Sequence, residues 1–263
     1  MAERMTSTMA GEERRQRARA WLTAPAEAGT TRVKLCGMSR EEDVDAVMAA
    51  CPDLCGFIVD FPKSHRNVSP ERVAELTARM DAAEAAAAEA AADAAAAATA
   101  AEPDAAPTAS ARIPVWRVGV FVDEPALELV RIVRASGLDL VQLHGHEDAA
   151  YVEELRALAP ELGLIQAFKV RTPDDVERAC ASPADLVLLD NGQGTGEAFD
   201  WSLAARAARP FMLAGGLAPE NVASAIRQVR PWGVDMSSGI ETGRVKDPAK
   251  IQAAVAAVRG VKL

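Results

Sequence analysis

Short runs of Val, Leu and Ile alternate along most of the chain with segments whose apolar residues recur at helical spacing. The alternation begins at Val33 and continues to the C-terminus, and it predicts strands that are each followed by a helix. The predicted strands are residues 33–36, 54–59, 117–122, 138–143, 164–170, 185–189, 210–214 and 233–236. The predicted helices are residues 40–50, 70–80, 125–136, 148–158, 173–180, 201–207, 219–229 and 248–258.

Eight strand and helix units running in one direction predict an α/β protein with a (β/α)8 TIM barrel. A doubly wound open sheet is the alternative, although it gives no reason for so regular a count. We expect residues 31–263 to form this single barrel domain. The chemistry of such barrels takes place where the C-terminal ends of the strands meet.

Two segments depart from the alternation. Residues 1–30 mix charged residues, Ala, Pro and Thr, with Trp21 and Leu22 as the clear apolar anchors, and predict a flexible extension with room for one helix. Residues 81–110 form an Ala-rich insertion with Asp and Glu but no Lys or Arg. Because this insertion lacks large side chains to bury, we expect a solvated helix or disorder on the N-terminal face of the barrel.

Composition excludes several classes of protein. Hydrophobic residues at 49% and charged residues at 25% are typical of a globular chain, and the net charge of -9 argues against nucleic acid as a partner. Cysteines at positions 36, 51, 55 and 180 form no CxxC pair, so neither a disulfide scaffold nor a zinc site is indicated. The chain has no apolar run of about 18 residues or more, and we predict a cytoplasmic protein without a membrane partner.

The first predicted strand, RVKLCGM, carries polar groups on one face. Side chains alternate with period 2, so Lys34 and Cys36 share a face, and Cys36 stands where the strand becomes a loop. A reactive thiol at this position is the functional reading, and a small buried filler is the alternative. Lys34 and Asp235 lie on neighbouring strands of the closed barrel. We therefore expect a buried ion pair between them, with Gln142 as a candidate third member.

Asp190 ends the strand DLVLLD on the same face as Leu186 and Leu188. A carboxyl group there is partly desolvated and can act as an acid, whereas a helix cap or a loop acceptor is the alternative. The NGQGTG that follows lacks both the spacing of a dinucleotide site and the Lys of a phosphate-binding P-loop, so it predicts a mobile loop that closely approaches a ligand.

Two Gly-rich or Ser-rich loops follow the last two strands. AGGL contains Gly215 and Gly216, and MSSG contains Ser237, Ser238 and Gly239. In TIM barrels these two loops commonly bind phosphate through backbone N–H groups, and Ser hydroxyls can add donors. The sequence therefore predicts a site for a small phosphorylated molecule.

His144 and Arg66 are further candidates at strand ends. His144 lies in VQLHGHE near His146 and Glu147, but the HGH sequence spans a Gly turn rather than one helix face, so we predict a pocket-wall or packing His and no metal site. Arg66 in FPKSHRN lies on the loop after the second strand. It can bind a carboxylate through its guanidinium fork, or it can be a solvated loop residue.

Seven segments in collinear order resemble the phosphoribosylanthranilate isomerases of tryptophan biosynthesis. The resemblance runs from about Arg32 to the C-terminus and excludes the first 30 residues and the Ala-rich insertion. One departure is His65, which stands where the family usually has Pro before the loop Arg. The segments are KLCGMSREEDV, FPKSHRNVSPE, VGVFVDEP, DLVQLHGHE, LLDNGQGTGEAFDW, LAGGLAPENV and GVDMSSGIETGRVKDPAKI.

The resemblance implies a cofactor-free Amadori rearrangement of N-(5′-phosphoribosyl)anthranilate to 1-(2-carboxyphenylamino)-1-deoxyribulose 5-phosphate. It implies that Cys36 is the general base, that Asp190 is the general acid and that Arg66 binds the anthranilate carboxylate. We expect a monomer or a homodimer.

Three other functions stay open from the sequence. The sugar-phosphate isomerase of histidine biosynthesis, or a dual-substrate version of it, performs the same rearrangement. Those enzymes use an aspartate at the end of the first strand, so Cys36 favours the anthranilate substrate. A metal-dependent pentose-phosphate epimerase needs His and Asp ligands that this chain lacks. A catalytically silent barrel that binds a partner is the third possibility, and the set of thiol, acid, Arg66 and phosphate loops argues against it.

Overall fold

Eight parallel strands in this computed structural model close into a barrel, as the sequence predicts. The structure describes residues 2–25, 27, 29–101, 114–190 and 201–263. The barrel strands are β1 (Arg32–Cys36), β2 (Leu54–Val59), β4 (Trp116–Phe121), β5 (Leu140–Leu143), β6 (Gly163–Lys169), β7 (Leu186–Asp190), β8 (Phe211–Leu213) and β9 (Gly233–Met236). Three two-residue strands add to them: β3 (Asn67–Val68), β10 (Glu241–Thr242) and β11 (Val245–Lys246).

Helices follow the barrel strands as predicted. They are α2 (Glu41–Ala50), α3 (Pro70–Ala101), α4 (Ala126–Ala135), α5 (Ala149–Leu158), α6 (Pro173–Cys180), α7 (Trp201–Ala204), α8 (Val222–Val229) and α9 (Pro248–Arg259), with α1 (Ala2–Thr23) before the first strand and the 3-10 helix η1 (Ser238–Ile240) after the last. None of the helices in the described residues is long and apolar enough to cross a membrane.

The first strand closes the barrel because it pairs with a strand on each side. Lys34 is in register with Leu54 of β2 and with Asp235 of β9. Period-2 alternation then divides the apolar side chains between two cores. Val33 and Leu35 pack outward under the helices, whereas Leu54 faces the barrel interior.

The N-terminal segment differs from the flexible extension that we expected. Helix α1 lies against β5 and β6, and Leu22 is only 1% exposed. The ring of Trp21 lies 6.1 Å from that of Trp116 and 5.5 Å from that of Trp232, measured between centroids. The sequence identified Trp21 and Leu22 as apolar anchors. It could not show the surface that they cover, because that surface is formed by strands that are distant in the sequence.

Charged contacts add to this apolar packing. The guanidinium of Arg32 lies 4.1 Å from the Trp21 ring centroid, within the range of a cation–π contact. Arg14 of α1 contacts Asp139 at 2.8 Å and Glu84 at 3.0 Å. The helix is therefore attached to the N-terminal end of the barrel, opposite the ends at which chemistry is expected.

The first part of the Ala-rich insertion continues α3 without a break as far as Ala101. Asp81 and Glu84 both accept from Arg117, a residue that is 2% exposed at the start of β4. Side chains from there to residue 96 are mostly exposed. Residues 102–113, which include the end of the insertion, lie outside the described residues. The insertion thus begins with two acidic contacts and continues as a solvated helix.

Candidate active site

A cavity of about 240 Å³ opens at the C-terminal ends of the barrel strands. It brings together eight of the nine predicted site residues, and only Gly239 is not on its wall. The cavity is lined by Cys36, Ile58, Arg66, Val120, Gln142, His144, Leu188, Asp190, Ala214, Gly215, Gly216, Leu217, Asp235, Ser237 and Ser238.

Cys36 presents its thiol at the end of β1, next to the ammonium group of Lys34. Burial raises the pKa of Cys36, and the positive charge of Lys34 opposes this shift. Both groups lie close to Gly56, which has no side chain to obstruct them. A Cβ at Gly56 would lie 2.8 Å from Cys36 Sγ and 3.1 Å from Lys34 Nζ. Gly56 therefore permits the close approach of the amine and the thiol.

The predicted ion pair between Lys34 and Asp235 is confirmed. Lys34 Nζ donates to Asp235 Oδ2 at 3.1 Å, and the Lys34 side chain is fully buried. Burial alone lowers the pKa of Lys34, but Asp235 and Cys36 outweigh it and leave the pKa raised. Gln142 is not the bridge that we considered, because its Nε2 contacts His144 Nδ1 at 3.0 Å instead.

His144 and Asp190 lie on the cavity wall across from this pair. Burial lowers the pKa of His144, and the carboxylate of Asp190 partly opposes the shift. The imidazole is therefore neutral near pH 7, and with Nδ1 accepting from Gln142 its Nε2 carries the hydrogen. Asp190 is the half-buried last residue of β7, and its backbone carbonyl accepts from Val170 at 2.7 Å.

The loop after β8 presents its backbone to the cavity. Gly215 and Gly216 have φ angles of 91° and 65°, a left-handed conformation that only Gly adopts readily. Asn221 fixes the loop from behind, as its Nδ2 donates to the Gly216 carbonyl and its Oδ1 accepts from Ala218 N, each at 2.9 Å. Backbone N–H groups of such a Gly turn after a late barrel strand are suited to bind an anion.

The loop after β9 packs against the loop after β8. A Cβ at Gly239 would collide with the Leu217 carbonyl oxygen, so Gly239 serves this close approach rather than the cavity wall. Ser237 Oγ donates to the Cys36 carbonyl at 3.0 Å. The hydroxyl hydrogen of Ser237 is thus already donated within the protein. Ser238 is left as the serine whose hydroxyl is a candidate donor to a phosphate.

Arg66 reaches the cavity, but its guanidinium group is already hydrogen-bonded to a carboxylate of the protein itself. Arg66 Nε donates to Glu241 Oε1 at 2.6 Å and Nη2 donates to Oε2 at 2.8 Å. This excludes the solvated loop Arg that the sequence left open. His65, the departure from the family pattern, lies 3.8 Å from the same carboxylate.

Glu241 and Lys246 were not singled out from the sequence. They pair across the hairpin of β10 and β11, and Lys246 Nζ lies 2.8 Å from Glu241 Oε1. Burial raises the pKa of Glu241, but hydrogen bonds from Arg66 and Lys246 outweigh it and lower the pKa to about 2. The turn at Gly243 in ETGRVK could have indicated a hairpin. The contact between Glu241 and Arg66, which lies 175 positions earlier, has no signal in the local sequence.

Two further expectations concern the surroundings of the cavity. The loop with Gly192, Gly194 and Gly196 lies in residues 191–200, outside the described residues. Among the residues that the structure describes, no group of three or more His, Cys, Asp or Glu is placed to hold a metal ion. His146 pairs with Asp123 at 3.0 Å, while His144 bonds with Gln142.

Comparison with known proteins agrees with this geometry. Residues 79–257 match the family model of N-(5′-phosphoribosyl)anthranilate (PRA) isomerase. An N-(5′-phosphoribosyl)anthranilate isomerase of Chromohalobacter salexigens is 38% identical over 241 residues, which are 88% of this chain and 95% of that protein. One from Pseudomonas putida is 43% identical over 237 residues, which are 87% of this chain and 97% of that protein.

Solved structures agree as well. Phosphoribosyl anthranilate isomerase from Thermotoga maritima superposes with a TM-score of 0.67 at 32% identity, over 88% of this chain and 100% of that one. Another, with a TM-score of 0.66 and 31% identity over the same shares, was solved with reduced 1-(o-carboxyphenylamino)-1-deoxyribulose 5-phosphate. With its barrel and with these relatives across most of its length, the chain belongs to the phosphoribosylanthranilate isomerase family.

Proposed function

We propose that the cavity converts N-(5′-phosphoribosyl)anthranilate to 1-(2-carboxyphenylamino)-1-deoxyribulose 5-phosphate, with Cys36 as general base and Asp190 as general acid. The family fixes the class of reaction, an aldose–ketose isomerisation in tryptophan biosynthesis. The assignment of individual residues to steps is our own and rests on their position and chemistry.

The rearrangement needs two proton transfers at different atoms of one sugar. An acid must protonate the ring oxygen as the ribose opens, and a base must remove the proton from the adjacent carbon to give the enolamine. Cys36 ends β1 and Asp190 ends β7, with β8 and β9 between them in the barrel. A thiol and a carboxyl group on separate strands of one cavity can serve the two atoms, and this shared cavity is the observation that carries the proposal.

Lys34 supports the thiol as base. A thiolate needs a nearby positive charge, and the ammonium group of Lys34 supplies one from beneath the cavity floor. Because burial still leaves the pKa of Cys36 raised, the thiolate is a minor species in the free protein. Proton removal from the substrate by this minor form is therefore expected to become faster as the pH rises.

The remaining wall offers positions for the rest of the substrate. Backbone N–H groups at Gly215 and Gly216, with the Ser238 hydroxyl, suit the phosphate. Gln142 Oε1 and Asp235 Oδ1 are buried without a partner in the described part of the chain, and they suit ribose hydroxyl donors. Arg66 suits the anthranilate carboxylate.

Turnover by the purified full chain tests the proposal. We expect conversion of N-(5′-phosphoribosyl)anthranilate, and a much lower kcat/KM for the corresponding histidine-pathway substrate because the first strand ends in Cys36 rather than aspartate. A folded protein that converts neither substrate would contradict the isomerase assignment. Preference for the histidine-pathway substrate would contradict our choice of substrate.

The other expectations remain predictions. These are the small phosphorylated substrate as partner, a single barrel domain over residues 31–263, a monomer or homodimer, and a cytoplasmic location. A phosphoribosylanthranilate isomerase of Thermotoga maritima is described as dimeric. Light scattering of the full chain decides between monomer and dimer here.

A further inference from the structure

We propose that Glu241 is a positioning residue for substrate selection: it holds one edge of the Arg66 guanidinium so that the other edge faces the cavity as a carboxylate site. The inference rests on the proposed function and deepens it. It concerns how the chain distinguishes a carboxylated aromatic amine from one that lacks the carboxyl group.

The geometry of the guanidinium group leads to this division of roles. A guanidinium can bind carboxylates along two edges, one formed by Nε and Nη2 and the other by Nη1 and Nη2. Glu241 takes the first edge, with bonds of 2.6 and 2.8 Å. Among the described residues, no acceptor bonds to Arg66 Nη1. Arg66 lines the cavity, and its second edge is the one left for a ligand that binds there.

Glu241 is itself held rigidly. Lys246 is 5% exposed and contacts Glu241 Oε1 at 2.8 Å and the Ser237 carbonyl at 2.9 Å. Lys250 donates to the backbone carbonyl of Glu241 at 2.7 Å. Lys246 therefore ties the Glu241 carboxylate to the loop after β9, and Lys250 holds the Glu241 backbone. The carboxylate that orients Arg66 has little freedom to turn away.

The charges of this cluster favour an added anion. Arg66 and Lys246 both contact the single carboxylate of Glu241. Burial lowers the pKa of Lys246, and the bond to Glu241 opposes this shift. The pKa of Glu241 is lowered to about 2, so it stays ionised under assay conditions. Burial and nearby Arg66 lower the pKa of His65, which is therefore mostly neutral at pH 7. One carboxylate is therefore shared between two cationic side chains, and the permanently charged Arg66 can pair with a second carboxylate from a ligand.

The Arg66 side chain also passes close to the catalytic strand. A Cβ at Gly37 would collide with Arg66 Cδ and would lie 3.2 Å from Ser237 Oγ and 3.4 Å from Lys246 Nζ. Gly37, at φ of 85°, directly follows Cys36. Packing against Gly37 therefore holds the Arg66 side chain beside the residue that follows the thiol, so a carboxylate bound by Arg66 helps to orient the substrate relative to the base.

Binding of two matched ligands tests the inference without requiring turnover. One is reduced 1-(o-carboxyphenylamino)-1-deoxyribulose 5-phosphate, and the other is its phenylamino counterpart without the carboxyl group. By titration calorimetry, Glu241→Gln should weaken binding of the first ligand by about tenfold or more, the scale of a charged hydrogen bond. Binding of the second should change by less than about twofold, because it makes no contact that depends on Arg66 orientation.

Three variants make the result specific. Asp45→Asn is the matched control, since Asp45 binds Arg79 through the same two guanidinium nitrogens, at 2.6 and 2.8 Å, on the outer helices. It should leave both affinities unchanged. Glu241→Asp keeps the charge but shortens the reach, and should fall between wild type and Glu241→Gln. Added to Arg66→Ala, Glu241→Gln should have no further effect on the carboxylated ligand.

Two outcomes would overturn the inference. Tighter binding of the carboxylated ligand by Glu241→Gln would show that Glu241 competes for Arg66 instead of orienting it. Equal weakening of both ligands, with an unchanged melting temperature, would show that the hairpin shapes the cavity without regard to the carboxylate. Failure of the wild type to turn over the anthranilate substrate is a separate result that counts against the proposed function, because selection is measured here by binding alone.

Discussion

Lys34 and Asp235 form an ion pair inside the barrel, with 3.1 Å between Nζ and Oδ2, at positions that are in direct register on β1 and β9. Asp235 lines the cavity, whereas Lys34 lies beneath it with its ammonium group also next to the Cys36 thiol. The same two side chains therefore link β1 to β9 and set the charge next to the candidate base.

Replacing Lys34 should affect both stability and the pH profile. Lys34→Met leaves Asp235 without its buried partner and should lower the free energy of unfolding by about 3–5 kcal/mol, as measured in urea. It also removes the charge that opposes the raised pKa of Cys36. The thiolate then forms at higher pH, so the ascending limb of the kcat/KM profile should move to higher pH.

A second substitution separates these two effects. Adding Asp235→Leu to Lys34→Met removes the unpaired carboxylate and should recover part of the lost stability. The pH profile should stay displaced because the positive charge is still absent, but by less than in the single variant, since the Asp235 carboxylate also raises the pKa of Cys36. A profile identical to that of the wild type in the single variant would show that Lys34 does not influence the base.

Removing the Arg66 side chain should impair binding more than chemistry. A carboxylate on the substrate is present throughout the reaction, so Arg66→Ala should raise KM by a factor that corresponds to about 1.5–3 kcal/mol and change kcat little. Steady-state kinetics measure the two constants separately. A fall in kcat with unchanged KM would instead place Arg66 at an atom whose charge develops in the transition state.

The Ala-rich insertion should be dispensable for activity, but its first turn should matter for stability. Deleting residues 85–106 and joining the ends with a short linker should leave kcat/KM and the melting temperature nearly unchanged. Deleting residues 82–106 also removes Glu84 and its contacts with Arg14 and Arg117, and should lower the melting temperature alone. Loss of kcat/KM by a folded deletion variant would contradict this account.

Helix α1 should contribute to stability and not to chemistry. Leu22 is 1% exposed at the N-terminal end of the barrel, so Leu22→Ala should lower the free energy of unfolding by about 2–5 kcal/mol. Activity well below the melting temperature should be unchanged. An exposed control on the same helix is Met9→Ala, since Met9 is 69% exposed and should tolerate the change.

Strand order and the inward-facing side chains could be predicted because they follow from a local pattern. Period-2 alternation places Lys34 and Cys36 on one face, and closure of eight strands then brings Lys34 to Asp235. Asp190 and the two glycines of AGGL reach the cavity for the same reason, since Asp190 ends a barrel strand and the glycines follow one. The family resemblance added the roles of these residues but did not change their positions.

The rest depends on contacts between distant parts of the chain. The packing of α1 needs Trp116, which begins β4, and Trp232, which directly precedes β9. The guanidinium of Arg66 is bound by Glu241, which lies on the short hairpin of β10 and β11. Strands of two residues have no clear hydrophobic pattern, so this hairpin was not predicted. The sequence therefore predicted Arg66 as a carboxylate ligand without showing which carboxylate holds it in the free protein.

Single-turnover conversion of N-(5′-phosphoribosyl)anthranilate by Cys36→Ala, beside the wild type and Asp190→Asn, tests the central claim most directly. Both groups act in proton transfer, so each substitution should lower the rate by roughly 10² or more, while affinity for the reduced product analogue changes by less than about twofold. A near-native rate in Cys36→Ala, or weaker analogue binding with unchanged turnover, would contradict the assignment of Cys36 as general base.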